Sequence, residues 1–124
     1  MRNLIASLAA LALAGCAHIT PRDNEPSVTL HSSASLDDTA ACVVRSLNTQ
    51  MHTNNPLGVS ITHKTEIIEP GRVYEVSPQQ TITLTAEIYF IRLTAVQPSG
   101  TRIDVHVIST WRDQVEPAVR FCAT

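Results

Sequence analysis

Lysine is almost missing from this chain of 124 residues. Lys64 is the only one, no run of like charge occurs, and the formal net charge is −2. Nucleic acid is therefore not expected as a partner, because binding phosphates by counterion release needs clustered cations. A polybasic membrane patch is absent for the same reason. Glycine is scarce, at four residues, and the aromatics are one tryptophan, two tyrosines and two phenylalanines. That is little material for a substrate cleft. No glycine-rich phosphate loop, no G-x-S-x-G elbow and no Cys-x-x-Cys is present. None of His18, His31, His52, His63 and His106 has a histidine two or four positions on, so metal-site spacing is missing too. Glu75, Glu87 and Asp104 can share one sheet face and mimic an acid/base pair, but surface carboxylates are ordinary. The expectation is a non-enzymatic protein with no metal and no cofactor.

Long apolar runs are lacking as well, with one exception. Leu4 to Leu13 is apolar except for Ser7 and follows the cationic start Met1-Arg2-Asn3. As a helix this stretch reaches only about 15 Å, half of the roughly 30 Å of a bilayer core. That length suits the apolar region of an export signal rather than a span. Two cleavage readings follow. Ala12-Leu13-Ala14 satisfies the small-x-small rule of an ordinary secretory signal, with cutting before Gly15. Leu13-Ala14-Gly15-Cys16, by contrast, resembles the lipobox of bacterial lipoproteins.

The resemblance covers four residues, directly behind the apolar stretch. In that family the small residues let extended backbone enter the protease site and the leucine fills a pocket. The cysteine sulfur takes a diacylglyceryl group as a thioether, thiolate being accessible near neutral pH. The resemblance implies cleavage between Gly15 and Cys16, lipid on Cys16 and acylation of the freed amine. Two or three acyl chains hold a protein on a membrane essentially permanently, at about 0.8 kcal/mol per buried methylene. Ala17 stands where aspartate is a common inner-membrane retention signal. The resemblance therefore implies the periplasmic face of the outer membrane, with the inner membrane as the alternative.

Residues 1–15 are then signal peptide, residues 16–34 a lipidated N-terminus and tether, and residues 35–124 one small domain. Loss of Arg2 makes the mature chain one unit more negative. With Cys16 lipidated, Cys42 and Cys122 remain as an even pair in a compartment where disulfides persist. Cys42 lies off the apolar stripe of its helix, so a bridge requires the C-terminal segment to lie along that flank.

His18 to Ala34 is rich in Ser, Thr, Pro, Asp and Asn and reads as a flexible tether. Ser27 to His31 has a second reading as a short edge strand. Ser35 is a natural N-cap, Asp38 stands three positions on, and Asp37 and Asp38 suit the positive end of a helix dipole. Leu36, Ala40, Val43, Val44, Leu47 and Met51 recur at helical spacing, and Asn54-Asn55-Pro56 ends the element.

From Leu57 the period drops to two. Leu57, Val59 and Ile61 alternate with polar residues up to a type II turn at Glu69-Pro70-Gly71-Arg72. Val73 to Val76 forms a short strand, and Ser77-Pro78-Gln79-Gln80 turns again. Thr81 to Leu93 is the longest strand candidate, followed by a hairpin at Gln97-Pro98-Ser99-Gly100 and a strand from Thr101 to Arg112. Asp113 to Cys122 closes the chain as a short helix, with Pro117 awkward inside it. The expected fold is α+β: one N-terminal helix on a four-stranded antiparallel meander, with a short C-terminal helix. The layout resembles small bacterial lipoproteins of uncharacterised function, which supports the disulfide and transfers no activity.

One binding face stands out. Alternation places Ile82, Leu84, Ala86, Ile88 and Phe90 on the apolar side of the long strand. Thr83, Thr85, Glu87 and Tyr89 then form a flat polar face beside Asp104 and His106. Threonines there also serve strand propensity on a solvated face. As a site, the face would dock an envelope protein, or alternatively a small ligand or glycan hydroxyls. His63 is read as a half-buried packing residue pointing to the opposite face from His106.

Overall fold

The computed structural model describes residue 22, residues 24–79 and residues 87–124. Among the described residues, five strands and two α-helices occur in the order β1 (Val28–Ser32), α1 (Leu36–Gln50), β2 (His63–Glu69), β3 (Val73–Pro78), β4 (Tyr89–Ala95), β5 (Thr101–Val107) and α2 (Arg112–Arg120). The strands form one antiparallel sheet in the order β1-β5-β4-β3-β2. The α+β architecture follows the sequence reading, with five strands in place of four. The added strand is β1, inside the stretch read as tether. Its apolar positions Val28 and Leu30 face Val105 and Ile103 across the pairing, which matches the edge-strand reading of that segment.

Helix α1 begins where its cap predicts. The Ser35 hydroxyl accepts the Asp38 N–H at 3.1 Å, satisfying one of the free donors of the first turn. Leu36, Ala40, Val43, Leu47 and Met51 are buried against Val76, Ile91, Leu93, Ile103 and Val105 of the sheet. The Tyr74 hydroxyl donates to Asp37 at 2.9 Å and ties the helix start to β3.

Alternation fails between Leu57 and Thr62. Leu57 and Val59 are exposed loop residues, and β2 starts only at His63. Asn55 explains the difference. Its amide donates to the Met51 and Val59 carbonyls at 3.1 and 2.7 Å, and its oxygen accepts the Leu57 N–H at 3.0 Å. Side-chain hydrogen bonds here replace a ladder with a compact loop. The Pro70-Gly71 turn is as expected: Gly71 has φ +72° and Arg72 N–H donates to Glu69 at 3.0 Å.

The long strand expected over Thr81–Leu93 is β4 from Tyr89, and residues 80–86 lie outside those described. The strand expected from Thr101 to Arg112 stops at Val107. A single 3₁₀ turn at Ser109–Trp111 then leads into α2 and still buries Trp111. Pro117 sits in the interior of α2. Cys42 and Cys122 form a disulfide, and α2 lies along the flank of α1 as that bridge demands. The Ser46 hydroxyl reinforces the contact by donating to the Ala118 carbonyl at 2.6 Å. No helix among the described residues is long and apolar enough to cross a membrane.

Candidate functional site

The sheet has two faces of different chemistry. Register places Tyr89, Ile91 and Leu93 of β4 with Val107, Val105 and Ile103 of β5 on the face that α1 covers. Phe90 and Arg92 stand with His106 and Asp104 on the outer face. This reverses the expected placement of Tyr89 and Phe90. Ile88, Tyr89, Phe90 and Ile91 are four consecutive apolar or aromatic residues, so period two cannot be read across them. Arg92 and Leu93 set the phase instead. Glu87 and Ile88 are not strand residues, so the alternation expected upstream is not carried into β4. Tyr89 is therefore a core residue with 0% exposure. Thr83 and Thr85 lie outside the described residues.

Asp104 and His106 do lie on the outer face, but as buried residues rather than solvated ones. The segment read as tether covers them. The Ser27 N–H donates to Val105 at 2.8 Å, and the Thr29 hydroxyl donates to Asp104 at 2.7 Å. Arg102 completes the Asp104 site through Nε at 3.0 Å.

Arg22 closes the face over β4 and β3. Its Nη2 and Nη1 donate to the two Glu75 carboxylate oxygens at 2.8 and 3.3 Å, and its Nε to Glu87 at 3.1 Å. Arg92 reaches the same Glu75 oxygen through Nη2 at 2.6 Å and Nε at 3.0 Å. The Arg22 guanidinium carbon lies 4.2 Å from the centre of the Phe90 ring, and His106 stacks on that ring at 4.4 Å with 7° between planes. A guanidinium over an aromatic face is held by charge and by stacking together.

Burial pushes the Glu75 carboxyl up, but the hydrogen bonds and charges of Arg22 and Arg92 outweigh it and hold the group below the usual carboxylate range. The three carboxylates expected to share this face thus do share it. Each is paired: Glu75 with two arginines, Glu87 with Arg22, and Asp104 with Arg102. Glu75, held ionised by two guanidinium groups, is a weak base near neutral pH. The arrangement stores opposite charges and fixes the N-terminal segment. A shallow cleft of about 760 Å³ remains beside it, lined by Arg22, Asn24, Glu25, Arg92, Arg102 and His106 among others.

The second polar cluster is internal. Asn48 Oδ1 accepts both the His63 backbone N–H and ring Nδ1–H, each at 2.8 Å. An amide oxygen only accepts, so Nδ1 carries the proton and Nε2 accepts the Tyr89 hydroxyl at 2.6 Å. His63 is thus a buried, hydrogen-bonded histidine rather than a half-buried packing residue, and burial lowers its pKa to about 4. The same burial raises the Tyr89 hydroxyl. His63 and His106 face opposite sides of the sheet, as alternation predicts. Among the described residues no three His, Cys, Asp or Glu side chains are grouped to hold a metal ion.

Sequence reasoning missed Arg22, Arg92, Asn48 and the Phe90–His106 stack. Arg92 carried a readable signal, a charge inside an apolar run. Arg22 carried none, being one arginine in a polar stretch. No family model matches the chain, and no curated protein matches it.

Proposed function

We propose that the protein is a membrane-anchored envelope lipoprotein that acts without catalysis, through protein contacts in the periplasm. Lipid on Cys16 holds it at the periplasmic face of the outer membrane, after cleavage between Gly15 and Cys16. The observation that carries this reading is the bridge between Cys42 and Cys122. It accounts for two of the three cysteines and leaves Cys16 as the odd one, at the modified position of the lipobox-like sequence. The neutralised outer face adds support, since its carboxylates are engaged with arginines of the same chain. Envelope fractionation of the native protein and a Cys16→Ser variant tests the reading. The native protein should sediment with outer membranes and the variant should leave them; co-fractionation of both would refute it.

A second reading, small-ligand or glycan binding on the polar sheet face, has the cleft beside His106 in its favour. The Phe90 ring argues against sugar stacking, because Arg22 and His106 already cover it.

A further inference from the structure

We infer that Arg22 fixes the orientation of the protein on the bilayer, with the outer sheet face turned to the lipid headgroups and the α1–α2 layer turned away. The inference rests on the lipid anchor at Cys16. Only residues 17–21 separate that cysteine from Arg22. Fully extended, this leash reaches about 20 Å. Arg22 is docked near the middle of the outer face, over Phe90 of β4 and onto Glu75 of β3, and the chain is held again where Ser27 N–H meets Val105. A domain of this size has a radius of gyration of about 13 Å and is roughly 30 Å across. From the centre of one face, a 20 Å leash does not reach around the rim to the opposite face. The occupant of the region before the outer face is therefore the headgroup surface itself.

The consequence is a division of the protein surface. The headgroup side carries Arg22, Arg92 and Arg102, each matched to a carboxylate, so the contact is set by the leash and not by charge attraction. The side left open to other proteins is the helical layer. Its groove of about 540 Å³ runs beside the disulfide, between Arg45 and Thr49 of α1 and Phe121, which is 78% exposed. Without the Arg22 contacts the leash would run to Ser27 and extend about 35–40 Å, enough to pass the rim.

The test uses the protein purified from membranes into lipid nanodiscs containing a headgroup-spin-labelled lipid. Intact mass is measured first. Amide broadening should be stronger at Phe90, Arg92 and Asp104 than at Ala41, Arg45 and Thr49 on exposed α1. In Arg22→Ser, which leaves Glu75 paired with Arg92, the contrast between the two sets should fall at least twofold. Equal broadening in the native protein, or a contrast unchanged in Arg22→Ser, overturns the orientation while the anchor stands. A mass without acyl groups overturns the anchor, and the orientation with it.

Discussion

The Tyr89 hydroxyl donates to Nε2 of His63 across 2.6 Å, while Asn48 holds the opposite ring nitrogen. Nδ1 donates and Nε2 accepts, the pattern of the neutral imidazole. Burial, which penalises the charged ring, is what keeps a second proton off it. The folded pKa is about 4 against an ordinary value of 6.5. Between those values the unfolded chain binds a proton that the folded protein refuses, so stability falls as pH drops through this window. The loss is about 1.4 kcal/mol per pH unit and about 3 kcal/mol in all. Denaturant unfolding from pH 7 to pH 4.5, compared with His63→Gln, checks it. The variant should lose about one proton's worth of slope, and equal slopes would contradict the assignment.

Glu75 titrates in a lower window. Its folded pKa is depressed by Arg22 and Arg92, so its contribution is present above about pH 4.5 and lost as pH falls below it. Glu75 is buried whereas both arginines reach solvent. Glu75→Gln should cost about 1–3 kcal/mol, because two guanidinium groups lose their shared anion. Arg22→Ala should cost under about 1 kcal/mol, since Arg92 remains on Glu75. Urea unfolding at pH 7 ranks them, and the reverse ranking would contradict the network.

The disulfide closes a long loop, with a sequence separation of 80. The entropy removed from the unfolded chain is worth roughly 4–5 kcal/mol. The paired substitution of Cys42 and Cys122 by serine should lower unfolding free energy by about that amount. The far-UV circular dichroism of the folded state should stay the same. A loss under about 1 kcal/mol would show that the bridge does not constrain the chain.

Gly100 and Gly71 both adopt positive φ but differ in their surroundings. A Cβ at Gly100 would lie 2.7 Å from the Ser32 carbonyl oxygen, at the junction of β5 with β1, whereas Gly71 faces open space. Gly71→Ala should cost about 1 kcal/mol for its backbone conformation alone. Gly100→Ala should cost distinctly more and lower the melting temperature further. Equal shifts would mean that β1 yields freely.

Much of this architecture was legible because local signals agreed. Ser35, the acidic first turn and the stripe from Leu36 to Met51 all point to one helix. Pro70-Gly71 and the Ser99-Gly100 hairpin likewise fix strand connections by backbone chemistry. Two things were hidden. The phase of β4 is masked by four consecutive apolar residues, so Tyr89 and Phe90 exchange faces. The outer face is completed by residues from the polar N-terminal stretch, where β1 and Arg22 gain their meaning only from distant partners. A site built from residues 53 positions apart, as Arg22 and Glu75 are, leaves no local period to read.

The lipid at Cys16 is the claim on which localisation and orientation both stand, and intact mass spectrometry of the protein extracted from membranes tests it most directly. The account predicts a chain beginning at Cys16 and heavier than residues 16–124 by a diacylglyceryl group and an N-acyl chain. A mass matching an unmodified chain, begun at Gly15 or anywhere else, would contradict it.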